Sequence, residues 1–598
     1  MKGALITPEP LAAKVGAGIL EQGGNIFDAS VAAAFVQGVT NPLVCGVGGS
    51  SLILLHHGPS GESLLIDGSC IVGSKVGGNG SRSYQYGYRS ITVPGMVKSA
   101  WKVYQKFGSG NLSWADLLEP ARRLARDGFV VEPYLAEQWQ LDQVNSKPKT
   151  QIYPTLEEKW SAAAEAQALF GRPKRVGDRF FQDDYSKTLH RLAKQGADDF
   201  YQGTLYEDII LDMEEYGGLF TREDLRHYEA VDLAPVSGSY RGFEIRTAVG
   251  GSSTGLQVLF MLKILDAFDL KSMSPDSPDY IDLLSRVMKA GYREHAPLLG
   301  DPPFSAALTL LTRLVSQGRA GYLQRRIRRA RREDEDEQYR GLGVGPGPGG
   351  GGPESGRGPE GGGGSGYDAG YGSGYGAGYG AGYGSGMAAA RRREAGGRGR
   401  RQRQRLYGAQ DIDPEQLELD YLNAGATHLS AMDEEGSMVS WTQSLGTVGG
   451  AGVVTTGLGF LYNNITSQFH PDPYRWDSLL AGKRGGGGAP LLVLRNGRPV
   501  MAIGCAGGGR LMPTAVLQVM INIIDHGMTA EQAVSAPRFH AEDNDVLFLE
   551  PAYEAATAEA LREKGYQVVQ TQGGMKSRVE VVTADQDTGV FSAGSDPR

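Results

Sequence analysis

The sequence is poor in the residues that build several familiar kinds of site. Only three cysteines occur, Cys45, Cys70 and Cys505, too few and too scattered for a disulfide framework or a metal-ligand set. No metal is expected, and a reducing, cytoplasmic setting is. No uncharged apolar run approaches the roughly 20 residues of a membrane-spanning helix, and the opening MKGALITPEPLAAKVGAGILEQGGN has no apolar stretch of secretory-leader length. A Gly-x-Ser-x-Gly elbow is missing. The glycine-rich VCGVGGSS at 44–51 lacks the lysine that would make it a phosphate loop. His56, His57 and His428 stand without ligand spacing, and a lone histidine beside a strand is more often a hydrogen-bonded structural residue than a base. A net charge of −8 gives no general case for nucleic acid.

What remains is the composition of a large globular protein, 598 residues of which 40% are hydrophobic and 21% charged. One segment departs from it. Between 324 and 405 sixteen arginines face nine acidic residues, around a glycine-rich stretch in which Tyr367, Tyr371, Tyr375, Tyr379 and Tyr383 recur every four positions. Such a low-complexity segment lacks the apolar residues for a core. It is expected to be a disordered insertion over 321–415, dividing a region 1–320 from a region 416–598. As a surface insertion it has no function of its own; as an arginine-rich arm it is the one place where nucleic acid or self-association would be served.

Local patterning fills in both regions. Asn25 is placed to cap the helix IFDASVAAAFVQGV, SSLILLHHG and ESLLID read as a hairpin, and WADLLEPARRLARDG and TGLQVLFMLKILDAF have helical periodicity. Further on, THLSAMD and SMVSWTQS alternate across DEEG, and PLLVLR and PVMAIG flank Asn496-Gly497, a pair suited to a type I′ turn. The helices PTAVLQVMINIIDHG, TAEQAVSA and AYEAATAEALREKG follow, with Thr529 and Gln532 spaced as a capping box. Sheets with helices on their outer faces are expected. In CAGGGRLMP, three glycines lead from a strand into a helix, where backbone N–H groups can approach an anion or oxyanion.

Many blocks together carry a resemblance. GGNIFDASVAAAFVQGVTNPLVCGVGGSSLIL, TVPGMVKSAWKVYQKFG, LLEPARRLARDGFVV, DDFYQGTLYEDI and GGLFTREDLRHYEA in the first region, and ATHLSAMDEEGSMVS, AGGGRLMPTAVLQVMINIIDHGM, APRFH and AGSDPR in the second, resemble the gamma-glutamyltransferase (gamma-glutamyltranspeptidase) family. The resemblance implies an α+β fold, the four-layer αββα sandwich of N-terminal-nucleophile hydrolases. It also implies a precursor that cuts itself into large and small subunits, no cofactor, and amide hydrolysis or acyl transfer on a small-molecule acyl-amide by a threonine whose own α-amine is the base.

Carried over residue by residue, the family pattern meets several departures. Its Thr-Thr-His falls on Ala426, Thr427 and His428, so alanine occupies the nucleophile position. Either the chain is a non-catalytic relative, or the residue was exchanged, or Thr427 has become the nucleophile. The second threonine and its neighbouring asparagine fall on Ser444 and Gly446, and the oxyanion pair on Gly507 and Gly508. The arginine that holds the substrate carboxylate falls on Ser69, the amine-binding aspartate on Gln468, and a serine pair on Gly486 and Gly487. With those charged partners gone, glutathione is not the expected substrate.

Overall fold

Two six-stranded antiparallel sheets lie face to face, and the period of two along each strand decides which layer each side chain meets. In the computed structural model, which describes residues 2–77, 84–140, 154–249, 254–295, 317–341, 424–470 and 478–598, the first sheet runs Gly3–Ile6, Ala424–Asp433, Met438–Thr447, Ser50–His57, Glu62–Gly68 and Val231–Leu233 in spatial order. The second runs Phe591–Ser595, Arg578–Ala584, Arg498–Ala506, Leu491–Arg495, Phe243–Thr247 and Val236–Tyr240. Leu52 and Leu54 turn inward to Met432, Leu492 and Ala502, while Ile53 and Leu55 turn outward onto helices. Helices Pro10–Glu21, Ile26–Thr40, Met96–Phe107 and Trp114–Asp127 cover the first sheet; Thr254–Leu265, Pro278–His295 and Met512–Ile524 cover the second. This is the αββα order expected.

Local signals account for many of these boundaries. The Asn25 side chain accepts from the N–H groups of Phe27 and Asp28, Thr529 and Gln532 form their reciprocal box, and Asn496 and Gly497 both take positive φ between their strands. Each sheet draws strands from both sides of the insertion, so the regions before 320 and after 416 interlock. A chain cut between them stays joined by two hydrogen-bonded sheets.

The start of the expected insertion is ordered. Gln317–Gly341 is a helix whose Ala320, Leu323 and Ile327 are buried against the second helical layer. Arginines at two of every three positions from 325 to 332 hid this apolar stripe. The Tyr-Gly repeat and the arginine cluster at 391–405 lie outside the described residues. Among the described residues no helix is long and apolar enough to cross a membrane.

The DEEG hairpin holds a titrating group. Burial raises the Asp433 carboxyl from 3.8 to about 6, against the N–H of Ser437, which donates to its Oδ1 at 2.8 Å. The folded chain therefore keeps this proton to a higher pH than the unfolded chain, and stability falls as pH rises from about 4 to 6. Asp433→Asn retains the acceptor and removes the titration. Its unfolding free energy is expected to match the parent's below pH 4 and to exceed it at pH 7 by up to about 3 kcal/mol. A constant difference across that range would contradict the assignment.

Candidate active site

Pairing slips where the family pattern places its nucleophile. Gly425 pairs with Gly446 and Thr427 with Gln443, so Ser444 and Leu445 share the place opposite Ala426, a bulge that turns the strand end. The Ser444 hydroxyl donates to the Gly425 carbonyl at 2.5 Å and accepts from the Gly446 N–H at 2.8 Å. Gly446 has φ +99°, and a Cβ there would stand 2.4 Å from Asn464 Oδ1.

Ala426 and Thr427 face opposite ways. His428 and Ser430 point between the sheets, where Ser430 donates to the Glu580 carbonyl, and Ala426 shares their face. Thr427 points outward to the helical layer, fully buried, and its hydroxyl donates to Glu9 Oε1 at 2.7 Å. Glu9 also accepts from Thr7, from Gln37 at 3.0 Å, from Asn41 at 2.7 Å and from Tyr134 at 3.0 Å. Burial and the Glu9 carboxylate hold the Tyr134 phenol well above its ordinary range, so it remains a donor.

His428 is committed to structure. Ser430 and Ser440 spend their protons on the carbonyls of Glu580 and Ile503, so both meet Nε2 as acceptors, at 3.2 and 3.3 Å. Nε2 therefore carries the hydrogen and Nδ1 accepts from Thr442 at 2.8 Å. Burial lowers this imidazole to about 3, so it is neutral at working pH. His56 bonds Ser63 at 2.8 Å at the other end of the strands.

A cavity of about 370 Å³ opens at the strand end, lined by Ala426, Thr427, Glu9, Tyr134, Gly507, Gly508, Lys576 and Arg578 among others. The ladder of strand Arg498–Ala506 ends at the pair Ala506↔Arg578. Gly507, Gly508 and Gly509 then take φ of 69°, 82° and 46°, which favours glycine at each. At Gly508 a Cβ would also strike Ser577 at 2.6 Å.

The other matched positions gather elsewhere. Gly485 pairs with Cys70, leading into Gly486 and Ser69, and a Cβ on Gly486 would meet the Ser50 hydroxyl at 2.7 Å. Ser50 in turn donates to the Ser444 carbonyl at 3.1 Å. Gly487 has open space around it, and Gln468 is exposed at the end of the short helix Ile465–Gln468. None of Ser69, Gly486, Gly487 and Gln468 lines the 370 Å³ cavity. Among the described residues no His, Cys, Asp and Glu cluster could hold a metal.

Glu9, Asn41, Tyr134 and Arg578 have no local motif. Glu9 reaches the site because Ile6 pairs with Ser430, and that antiparallel register carried three residues further meets Thr427. An apolar GALI read as an edge strand was the available signal.

Comparison with known proteins agrees with this architecture. The chain is 27% identical over 626 residues to a glutathione hydrolase proenzyme of Escherichia coli (strain K12), covering 100% of this chain and 90% of that protein. It is 30% identical over 597 residues to the acylase ACY 1 proenzyme of Pseudomonas sp. (strain SE83), covering 96% and 89%. The crystal structure of cephalosporin acylase from Bacillus halodurans superposes with a TM-score of 0.75 at 24% identity, covering 100% of this chain and 94% of that one, which shows a shared fold. The gamma-glutamyltranspeptidase family model matches residues 12–350 and 395–598. With αββα layers, a bulged strand end at Ala426 and a glycine turn facing it, the chain belongs to the gamma-glutamyltranspeptidase family.

Proposed function

We propose that the chain is an amide hydrolase or acyl transferase, made as a self-processing precursor, that acts on a small acyl-amide and does not favour glutathione. The observation that carries this reading is the Thr427 hydroxyl, donated at 2.7 Å to Glu9 beside a cavity that also holds the Gly507-Gly508 turn. A hydroxyl with a carboxylate acceptor has a base before any α-amine exists. Its oxygen adds to the Ala426 carbonyl carbon while the proton passes to Glu9. The peptide nitrogen then leaves with that proton, and water hydrolyses the ester to give a carboxylate on Ala426 and a free amine on Thr427. Gly507 and Gly508 supply N–H groups for the oxyanion of an incoming acyl-amide.

Poor fit to a γ-glutamyl head follows from Ser69, Gln468, Gly486 and Gly487, none of which is charged. Each charge-assisted hydrogen bond forgone is worth about 1.5–3 kcal/mol.

Ala426 and the outward facing of Thr427 favour a second reading, a whole, non-catalytic chain that binds acyl-amides. Intact mass after incubation at neutral pH, with N-terminal sequencing of any fragment, separates the two. A fragment beginning at Thr427, lost in Thr427→Val, is the expected result. A chain that stays whole rules out self-processing and leaves the binder as the reading.

A further inference from the structure

Arg578 lies in the cavity with an uncommitted face. Its Nε donates to the Arg598 backbone carbonyl, and its guanidinium sits 4.7 Å from the centroid of the Tyr134 ring. Among the described residues its two terminal nitrogens make no hydrogen bond; Glu137 Oε2 stands 3.9 Å from one of them. The side chain is only 18% exposed. A guanidinium held on an aromatic face, with its fork open, is suited to a carboxylate bound through two parallel hydrogen bonds.

The surrounding charges give that site a direction. Lys576 Nζ lies 2.8 Å from Glu137 Oε1, adding a second cation beside Arg578. Glu137 is half exposed and on the helix Pro133–Gln138, so it can yield its place to a ligand. Glu9, the other carboxylate lining the cavity, is occupied by its five donors and stands on the Thr427 side. A ligand anion is therefore drawn to Arg578 and Lys576 and away from Glu9.

We propose that Arg578, supported by Tyr134 and Lys576, binds a carboxylate of the ligand, and that the substrates of this site are acyl-amides bearing one carboxylate. Ser69 does not line this cavity, so the carboxylate is recognised at a place other than the one the family pattern marks. Glu137 acts as its internal competitor.

The proposal rests on the acyl-amide reading, but binding requires no turnover, so a chain that never cuts itself still tests it. Calorimetric titration of the full chain uses the monoamide of glutaric acid, its methyl ester, and N-butanoylglycine. The ester should bind at least about tenfold more weakly than the better of the two acids. Preference for the glutaric monoamide puts the carboxylate on the acyl side, and preference for N-butanoylglycine puts it on the amine side.

Arg578→Gln should lose at least about tenfold in affinity for the better acid and nothing for the ester. Glu137→Gln, a half-exposed position whose exchange spares the fold, should gain about two- to fivefold. Equal binding of acid and ester, or a Glu137→Gln variant that binds the acid more weakly, would overturn the proposal whether or not Arg578→Gln folds.

Discussion

Ala426→Thr converts the chain into one that severs itself between Gly425 and residue 426, giving fragments 1–425 and 426–598. The machinery for that bond is in place around the alanine. The Ser444 hydroxyl already donates to the Gly425 carbonyl oxygen at 2.5 Å, the atom that takes negative charge when a residue-426 hydroxyl adds to its carbon. The Gly446 N–H at 2.8 Å fixes that serine. Ala426 borders the cavity, so the added hydroxyl and methyl enter free volume. Loss of such a nucleophile costs about 10⁶ in kcat in a well-studied serine hydrolase, and its return is the largest single gain open to this site. Ala426→Val, with the same shape and no hydroxyl, gives no fragment beginning at residue 426. Ala426→Thr combined with Ser444→Ala cuts about 10²–10³ more slowly. If the folded Ala426→Thr protein remained at full mass over days, the bulge would not be a processing site.

This cut differs from one at Thr427 by a single residue, and the strand explains why the difference matters. Successive side chains face opposite layers, so residue 426 faces the second sheet while the Thr427 hydroxyl meets Glu9 beneath the helices, both bordering the cavity of Gly507 and Gly508. N-terminal sequencing therefore reports which face of the strand does the chemistry.

Much of the architecture was legible where a residue announces its own geometry. Asn25 and Thr529 cap the helices they precede, Asn496-Gly497 turns with positive φ, and the DEEG hairpin pairs as its alternation requires. The glycine turn at 507–509 was legible for the same reason. Strands Phe243–Thr247 and Val236–Tyr240 escaped because each is only five residues long, and the serines and glycine of VSGSY leave little apolar signal. Helix Gln317–Gly341 was hidden by its arginines, which mask Leu323 and Ile327. The deeper loss concerns the site. Glu9 and Thr427 are 418 residues apart in sequence and meet through one edge strand. Arg578 carries a function only through the side on which Tyr134 stacks and the bonds its fork does not make. Local patterns encode local conformation; these contacts exist only in the assembled sheets.

Gly504→Ala is expected to cost about 3–5 kcal/mol, far more than a methyl group ordinarily does. Gly504 lies in the second sheet opposite Glu580, directly across from the His428 ring. A Cβ there would stand 2.2 Å from the ring Cε1 and 2.3 Å from Nε2, distances that require something to move. The ring cannot move cheaply, because Thr442 holds Nδ1 while Ser430 and Ser440 hold Nε2, and those serines also bridge to the second sheet. Gly488 confines the other partner, since a Cβ on it would meet the Thr442 side chain at 2.7 Å. The variant must therefore either spread the sheets, at the cost of overpacking, or leave buried polar groups unpaired at about 1–3 kcal/mol each. Gly573→Ala, where a Cβ meets nothing within 4 Å, is the control and should change stability by less than about 0.5 kcal/mol. Chemical denaturation of the two variants beside the parent reads the difference. A Gly504→Ala midpoint equal to that of the control would mean that the imidazole is free to leave the seam. A mobile His428 would then return as a candidate base beside residue 426.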